Sequence, residues 1–125
     1  MKVLEKMNWG ELKHEYEVDA KRLLPWDGLT TPFGGAWAVV RAGTRSLPHR
    51  NDPPEEEELF ICVTGRAKVC IEDRLVDVEK GDVVFFPSGV LHYIDNPYRE
   101  DFHLYAIWWD PQSVARYQQE RGVIE

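Results

Sequence analysis

The sequence predicts an all-β fold, an antiparallel sandwich or small barrel, on three observations. From about residue 16 to residue 109, apolar and polar residues alternate instead of recurring at helical spacing. The apolar runs are short, and Gly, Pro and Asp punctuate nearly every boundary between them. Helix signals appear only after Trp109, beyond the last of these runs. The 125 residues, 43% of them apolar, suffice to bury one core. No repeat, low-complexity linker or composition break divides them, so one domain over residues 1–125 is expected, with its barrel at about 16–109.

Each element has its own local signal. Tyr16, Val18 and Ala20 alternate with Glu17, Asp19 and Lys21, which reads as a first strand. The segment PWDGLTTPFGG is rich in Pro and Gly and reads as a connection. AWAVVRAG follows as a strand ending at Gly43, and ELFICVTG as the next. RAKVCIEDRLVDVEKG reads as a hairpin turning at Glu72-Asp73. DVVFFP is a strand ended by Pro87, whose ring removes an amide donor, and FHLYAIWW is the last strand. Asp110 is a good N-cap, Pro111 suits a first helical turn, and Gly122 marks the end of a short C-terminal helix over about 111–121.

Charge and composition exclude several classes. A net charge of −7 leaves no basic stripe for nucleic acid or an anionic membrane surface. No apolar run has the length of a membrane span. The opening MKVLEKMNWGELKHE is too charged for a secretory leader, so none is expected. Cys62 and Cys70 lie within apolar runs without Cys-x-x-Cys spacing, which argues against a disulfide scaffold and makes a reducing cytoplasm the expected compartment.

One stretch asks for more than a core. In GDVVFFPSGVLHYIDN a strand-forming run is cut by Pro87 and Gly89 and then delivers His92, held by backbone on both sides. Its spacing, G-x5-P-x-G-x2-H-x3-N from Gly81 to Asn96, resembles the second motif of the cupin superfamily at every position. Upstream, Gly43 followed after five residues by His49, and Glu58 followed after six by Gly65, resemble the first cupin motif. The resemblance covers about residues 36–109 and implies a small jelly-roll barrel. It also implies that His49, Glu58 and His92 converge on one metal ion within it.

Two departures from the pattern bear on the chemistry. The family's His-x-His reads His49-Arg50-Asn51, and the hairpin between the motif halves is lengthened to NDPPEEEE. Two histidines and a carboxylate form a set that suits Fe(II), and zinc accepts it as well. Asn51 would orient a water or a substrate, or contact the metal as an additional donor. Glu55, Glu56 and Glu57 read as a solvated acidic loop, with Glu56 the fallback ligand because it shares the parity of Glu58. Cys62 reads as a small core residue on that same face.

Along the last strand His103, Tyr105, Ile107 and Trp109 share one face, and Phe102, Leu104, Ala106 and Trp108 the other. If the first set lines the cavity, His103 and Tyr105 are candidate acid, base or substrate-orienting groups. Arg41 and Trp37 reach the same cavity only if the chain stays extended through Gly43, Arg41 then meeting an anionic substrate. Tyr93 has the opposite parity to His92 and is expected outside.

Three functional readings follow. The first is a metal-dependent enzyme, with Zn2+ or Fe2+, acting on a small amino-acid-derived metabolite. Its specific form comes from EEELF, the second motif and the closing IWWD, which together look like the cupin modules that form a nitrogen–nitrogen bond beside a separate amino-acid-activating enzyme. The second is a non-heme Fe(II) dioxygenase. The third is a non-catalytic small-ligand-binding module that has lost its metal. The family resemblance also implies a homodimer through the strand near Tyr16–Leu24 and the pair Trp108-Trp109.

Overall fold

Period-two alternation directs every second side chain of a strand to one sheet face, and here those faces close on a common core. The computed structural model describes residues 2–121. Among them, the strands are β1 (Lys13–Glu15), β2 (Val18–Leu24), β3 (Phe33–Val40), β4 (Glu57–Thr64), β5 (Arg66–Ile71), β6 (Arg74–Glu79), β7 (Val83–Phe86), β8 (His92–Asp95) and β9 (Phe102–Trp109). One helix, α1 (Pro111–Glu120), follows them. A six-stranded sheet runs β1-β2-β3-β9-β4-β7 and faces a three-stranded sheet β6-β5-β8, all pairs antiparallel. Phe60, Phe86, Phe102 and Leu104 of the large sheet meet Val69 and Ile94 of the small one in the buried core.

Side-chain size decides where the core is solid and where it is hollow. Toward one end of the large sheet the inward positions are Ala20, Ala36, Ala38 and Ala106, which leave space that phenylalanines fill at the other end. In register terms, Ala36 and Phe60 both face Ala106 across neighbouring strands.

The sequence reading differs from the fold at the start of the chain. Tyr16 and Glu17 form the two-residue turn of a hairpin, and β1 is an additional edge strand before it. β2 pairs with β1 on one side and β3 on the other, within its own chain. β3 also begins earlier, at Phe33, because Gly34-Gly35 is strand and not connection. A Cβ on Gly34 would lie 2.4 Å from the Trp108 indole nitrogen, and one on Gly35 would lie 3.0 Å from the Tyr105 ring. The glycines are there for the rings that cross them. At the other end Asp110 caps α1 by accepting from the Gln112 amide at 3.2 Å, while Gly122, read as its stop, lies outside the described residues.

The segment from Gly43 to His49 is laid along β8 by backbone hydrogen bonds. Gly43 N donates to Asn96 O, Asn96 N to Thr44 O and Ser46 N to Ile94 O, each at 2.8 Å. His49 and His92 then exchange both of theirs, at 3.1 and 3.0 Å. Asn96, the last position of the second motif, anchors this arrangement from full burial. Its amide donates to Val40 O at 3.0 Å and Glu100 O at 2.8 Å, and its Oδ1 accepts from Tyr98 N at 3.1 Å.

Removing that amide orphans one donor and two acceptors. Asn96→Ala is therefore expected to cost about 2–4 kcal/mol of unfolding free energy, measured by urea denaturation. A loss under about 0.5 kcal/mol, the size of an ordinary surface change, would contradict this account.

Candidate metal and ligand site

A hydrogen-bonded antiparallel pair points its two side chains to the same face of the sheet. That is how His49, outside any named strand, is brought beside His92, with ring centroids 4.6 Å apart. Each ring is oriented by its own backbone. His49 Nδ1 donates to Leu47 O at 2.9 Å, and His92 Nδ1 donates to Val90 O at 3.1 Å. A carbonyl only accepts, so Nδ1 carries the proton in both neutral rings and Nε2 carries the lone pair. Phe86 packs flat on the other side of His92, with centroids 4.2 Å apart, and the His92 side chain is 6% exposed.

Glu58 comes from the opposite sheet. Alternation along β4 turns Glu58 and Phe60 inward together, and Glu58 Oε1 lies 3.6 Å from His92 Nε2. An acceptor facing an acceptor is unfavourable unless a proton or a cation lies between them. Two donors bound at about 2.1 Å and a tetrahedral angle around zinc are roughly 3.4 Å apart, so the spacing of this pair suits a shared ion. The donor chemistry of His49, His92 and Glu58 thus fits a divalent transition metal. Among the described residues, no group of three His, Cys, Asp or Glu side chains is drawn together closely enough to form a complete site.

These groups line one cavity of about 190 Å³. Its floor is apolar, with Phe60, Ile94 and Leu104, and its mouth holds Glu15, Asp52, Glu56 and one cation, Arg22. Arg22 donates to Glu15 Oε1 through Nε at 3.2 Å and Nη2 at 3.0 Å, and its guanidinium lies 5.3 Å from the Trp108 ring centroid. Asn51 lines the cavity too. So does Glu56, half-buried and not the solvated loop residue its surroundings in sequence suggested. Burial, and then the neighbouring Glu58 carboxylate, raise its pKa from 4.5 to about 7.

The other candidates lie elsewhere. β9 turns Leu104, Ala106 and Trp108 to the cavity, so His103 and Tyr105 are on the outer face of the sheet. There His103 Nδ1 accepts from the Trp37 indole N–H at 2.8 Å, and burial holds its imidazole below the ordinary histidine range. Trp37 shares that outer face, while its neighbours Ala36 and Ala38 line the cavity. Arg41 donates to Asp19 at 2.7 Å and Asp101 at 2.9 Å on the surface, because the chain turns at Gly43 instead of staying extended. Tyr93 lies outside, its ring 4.6 Å from the Arg45 guanidinium. Cys62 is buried in the core, where burial pushes its thiol up to about 11. Glu15, Tyr16, Arg22 and Trp108 line the cavity though none is among the site residues expected from the sequence. Parity with Val18 and Ala20 is the available signal for both Tyr16 and Arg22.

Comparison with known proteins bears on the family. The Cupin_2 model, described as a cupin domain, matches residues 36–108, more than half of the chain. The plu4264 protein from Photorhabdus luminescens is 43% identical, with a TM-score of 0.86 over 98% of this chain and 99% of that one. A Cupin 2 conserved barrel domain protein from Salinispora arenicola is 33% identical, with a TM-score of 0.84 over 96% and 98%. A mannose-1-phosphate guanylyltransferase from Sinorhizobium fredii is 31% identical over 86 residues, which are 65% of this chain but 16% of that protein. Two further curated relatives, both uncharacterized, are matched over 47% and 57% of their lengths.

Glu56 gives the cavity a pH signature. Its carboxyl keeps its proton in the folded state to about pH 7 but loses it near 4.5 when unfolded, so stability falls as pH rises between those values. In chelator-treated protein, Glu56→Gln is expected to melt a few degrees above wild type at pH 8 and level with it at pH 4. Thermal melts at the two pH values check this, and an equal difference at both would contradict it.

Proposed function

This chain is a member of the cupin family, and on that premise we propose a metal-dependent enzyme of small-molecule metabolism. Its barrel would hold one divalent transition-metal ion between His49, His92 and Glu58. One observation carries the reading. Both imidazoles direct their Nδ1–H groups to backbone carbonyls, which leaves both Nε2 lone pairs unused by the backbone; that of His92 lies 3.6 Å from Glu58 Oε1, and His49 lines the same cavity. Metal-bound histidines are commonly fixed by that second hydrogen bond.

When bound, a divalent ion at such a site supplies Lewis acidity, able to polarise a carbonyl or to activate a water. The chain's own residues supply the rest. The cavity, below the roughly 300–1,000 Å³ of drug-sized sites, limits the ligand to a small metabolite. Its apolar floor excludes water from the ligand's body. Arg22 is paired with Glu15, and Asp52 has no Arg or Lys within ion-pair distance among the described residues, so the mouth favours cations over anions. Asn51 is available to orient a bound water or ligand. Two histidines and one carboxylate serve zinc and Fe(II) alike, so hydrolytic or rearrangement chemistry and oxygen chemistry are both within reach of this set. No residue of the cavity is particular to nitrogen–nitrogen bond formation, and that narrower reading gains no support of its own.

A second reading has an observation in its favour. Arg50 stands where the family pattern has a variable residue, Asn51 where it has the second histidine, and no three-donor cluster is assembled among the described residues. A metal-free ligand-binding module has those features as well.

Elemental analysis of protein purified without chelator, followed by calorimetric titration with Zn2+ and anaerobic Fe2+, separates the two. One metal per chain is expected. His92→Ala should lose more than the roughly 10–100-fold in affinity that removal of an outer partner costs. A wild-type protein that carries and takes up no metal would reject the enzymatic reading.

A further inference from the structure

A two-residue hairpin loop with positive φ at both positions is a type I′ turn, dominated by Asn and Gly because they tolerate that backbone. The β1–β2 turn has this geometry with neither of them: Tyr16 is at φ 51° and Glu17 at φ 61°. A bulky aromatic in the left-handed region is an outlier, and such strain persists only where something else holds it. At Tyr16 the holding contact is with the site. Its ring lies 4.6 Å from that of His49 at an interplanar angle of 30°, and it lines the cavity. Its carbonyl accepts from Leu47 N at 2.8 Å, and the Leu47 carbonyl accepts from His49 Nδ1.

The rings form one column. Phe86 packs on His92 at 4.2 Å, His92 on His49 at 4.6 Å, and Tyr16 on His49 at 4.6 Å. His92 is covered by the core, whereas His49 is at the partly exposed end, where Tyr16 is its outer wall. We infer that Tyr16 is a positioning residue for His49, and that the turn retains a strained tyrosine because its ring fixes the imidazole plane and hence the direction of the Nε2 lone pair. Asn or Gly would relieve the backbone and release the ring. This rests on the proposed metal site only for its affinity readout, since the orientation of His49 exists without metal.

The test compares wild type, Tyr16→Gly and Tyr16→Phe as full chains. Side-chain relaxation of the His49 ring is read by NMR in chelator-treated protein, melting temperature by calorimetry, and Zn2+ affinity by titration. Tyr16→Gly is expected to melt at or above the wild-type temperature, because the turn is relieved. Its His49 ring should become mobile, and its Zn2+ affinity should fall roughly 10–100-fold. Tyr16→Phe, which keeps the ring, should match wild type in ring order and affinity. The inference is overturned if the glycine variant keeps an ordered His49 ring, if it loses melting temperature along with affinity, or if phenylalanine fails to restore order. Wild type that binds no zinc would defeat the metal reading alone; the ring-order comparison would still decide the role of Tyr16.

Discussion

The pair of backbone hydrogen bonds between His49 and His92 is the constraint on which the rest of the site depends. The two residues are far apart in sequence and one lies outside any regular strand, yet exchange of both amide–carbonyl bonds sets them side by side on one face. Everything chemical at the site follows from that placement. The local carbonyls of Leu47 and Val90 orient each ring by itself, but only this bridge sets the two rings side by side at the same cavity.

The bridge itself is held by the longer zipper between residues 43–49 and β8, and the zipper by buried Asn96. Opposite it, β4 and β7 of the large sheet bring Glu58 and Phe86. The site is therefore assembled across the gap between the two sheets, with nitrogen donors from one wall and a carboxylate from the other. Burying neutral imidazoles in this way costs little, because the polar N–H of each is satisfied and the remaining nitrogen faces the cavity. Alanines on the inner face of the large sheet make the cavity possible by leaving volume unfilled.

Much of this is legible in the sequence. The punctuated run from Gly81 to Asn96 gives the turn, the end of the strand and the placement of His92 in a fixed order, since each depends on local backbone chemistry. The parity of β9 was not legible, because apolar and aromatic residues occupy both faces of FHLYAIWW. Only pairing with β3 and β4, where alanines meet, decides that Leu104 and Trp108 turn inward while His103 and Tyr105 turn out. Arg41 stays outside the cavity for a related reason: the chain does not stay extended through the turn at Gly43, so alternation does not carry across it. Gly34-Gly35 read as loop because the rings that demand glycine come from a strand about seventy residues later. Tyr16 read as strand because a type I′ turn without Asn or Gly leaves no mark in the sequence.

The proposed metal site depends most directly on the protonation of two ring nitrogens. Long-range nitrogen–proton NMR correlation of histidine-labelled, chelator-treated protein at pH 8 distinguishes the two neutral tautomers of each imidazole. His49 and His92 are both expected with the proton on Nδ1 and an unprotonated Nε2. Either ring carrying its proton on Nε2 would mean that the backbone carbonyls of Leu47 or Val90 do not orient it, and the case for a shared ion between His49, His92 and Glu58 would fail.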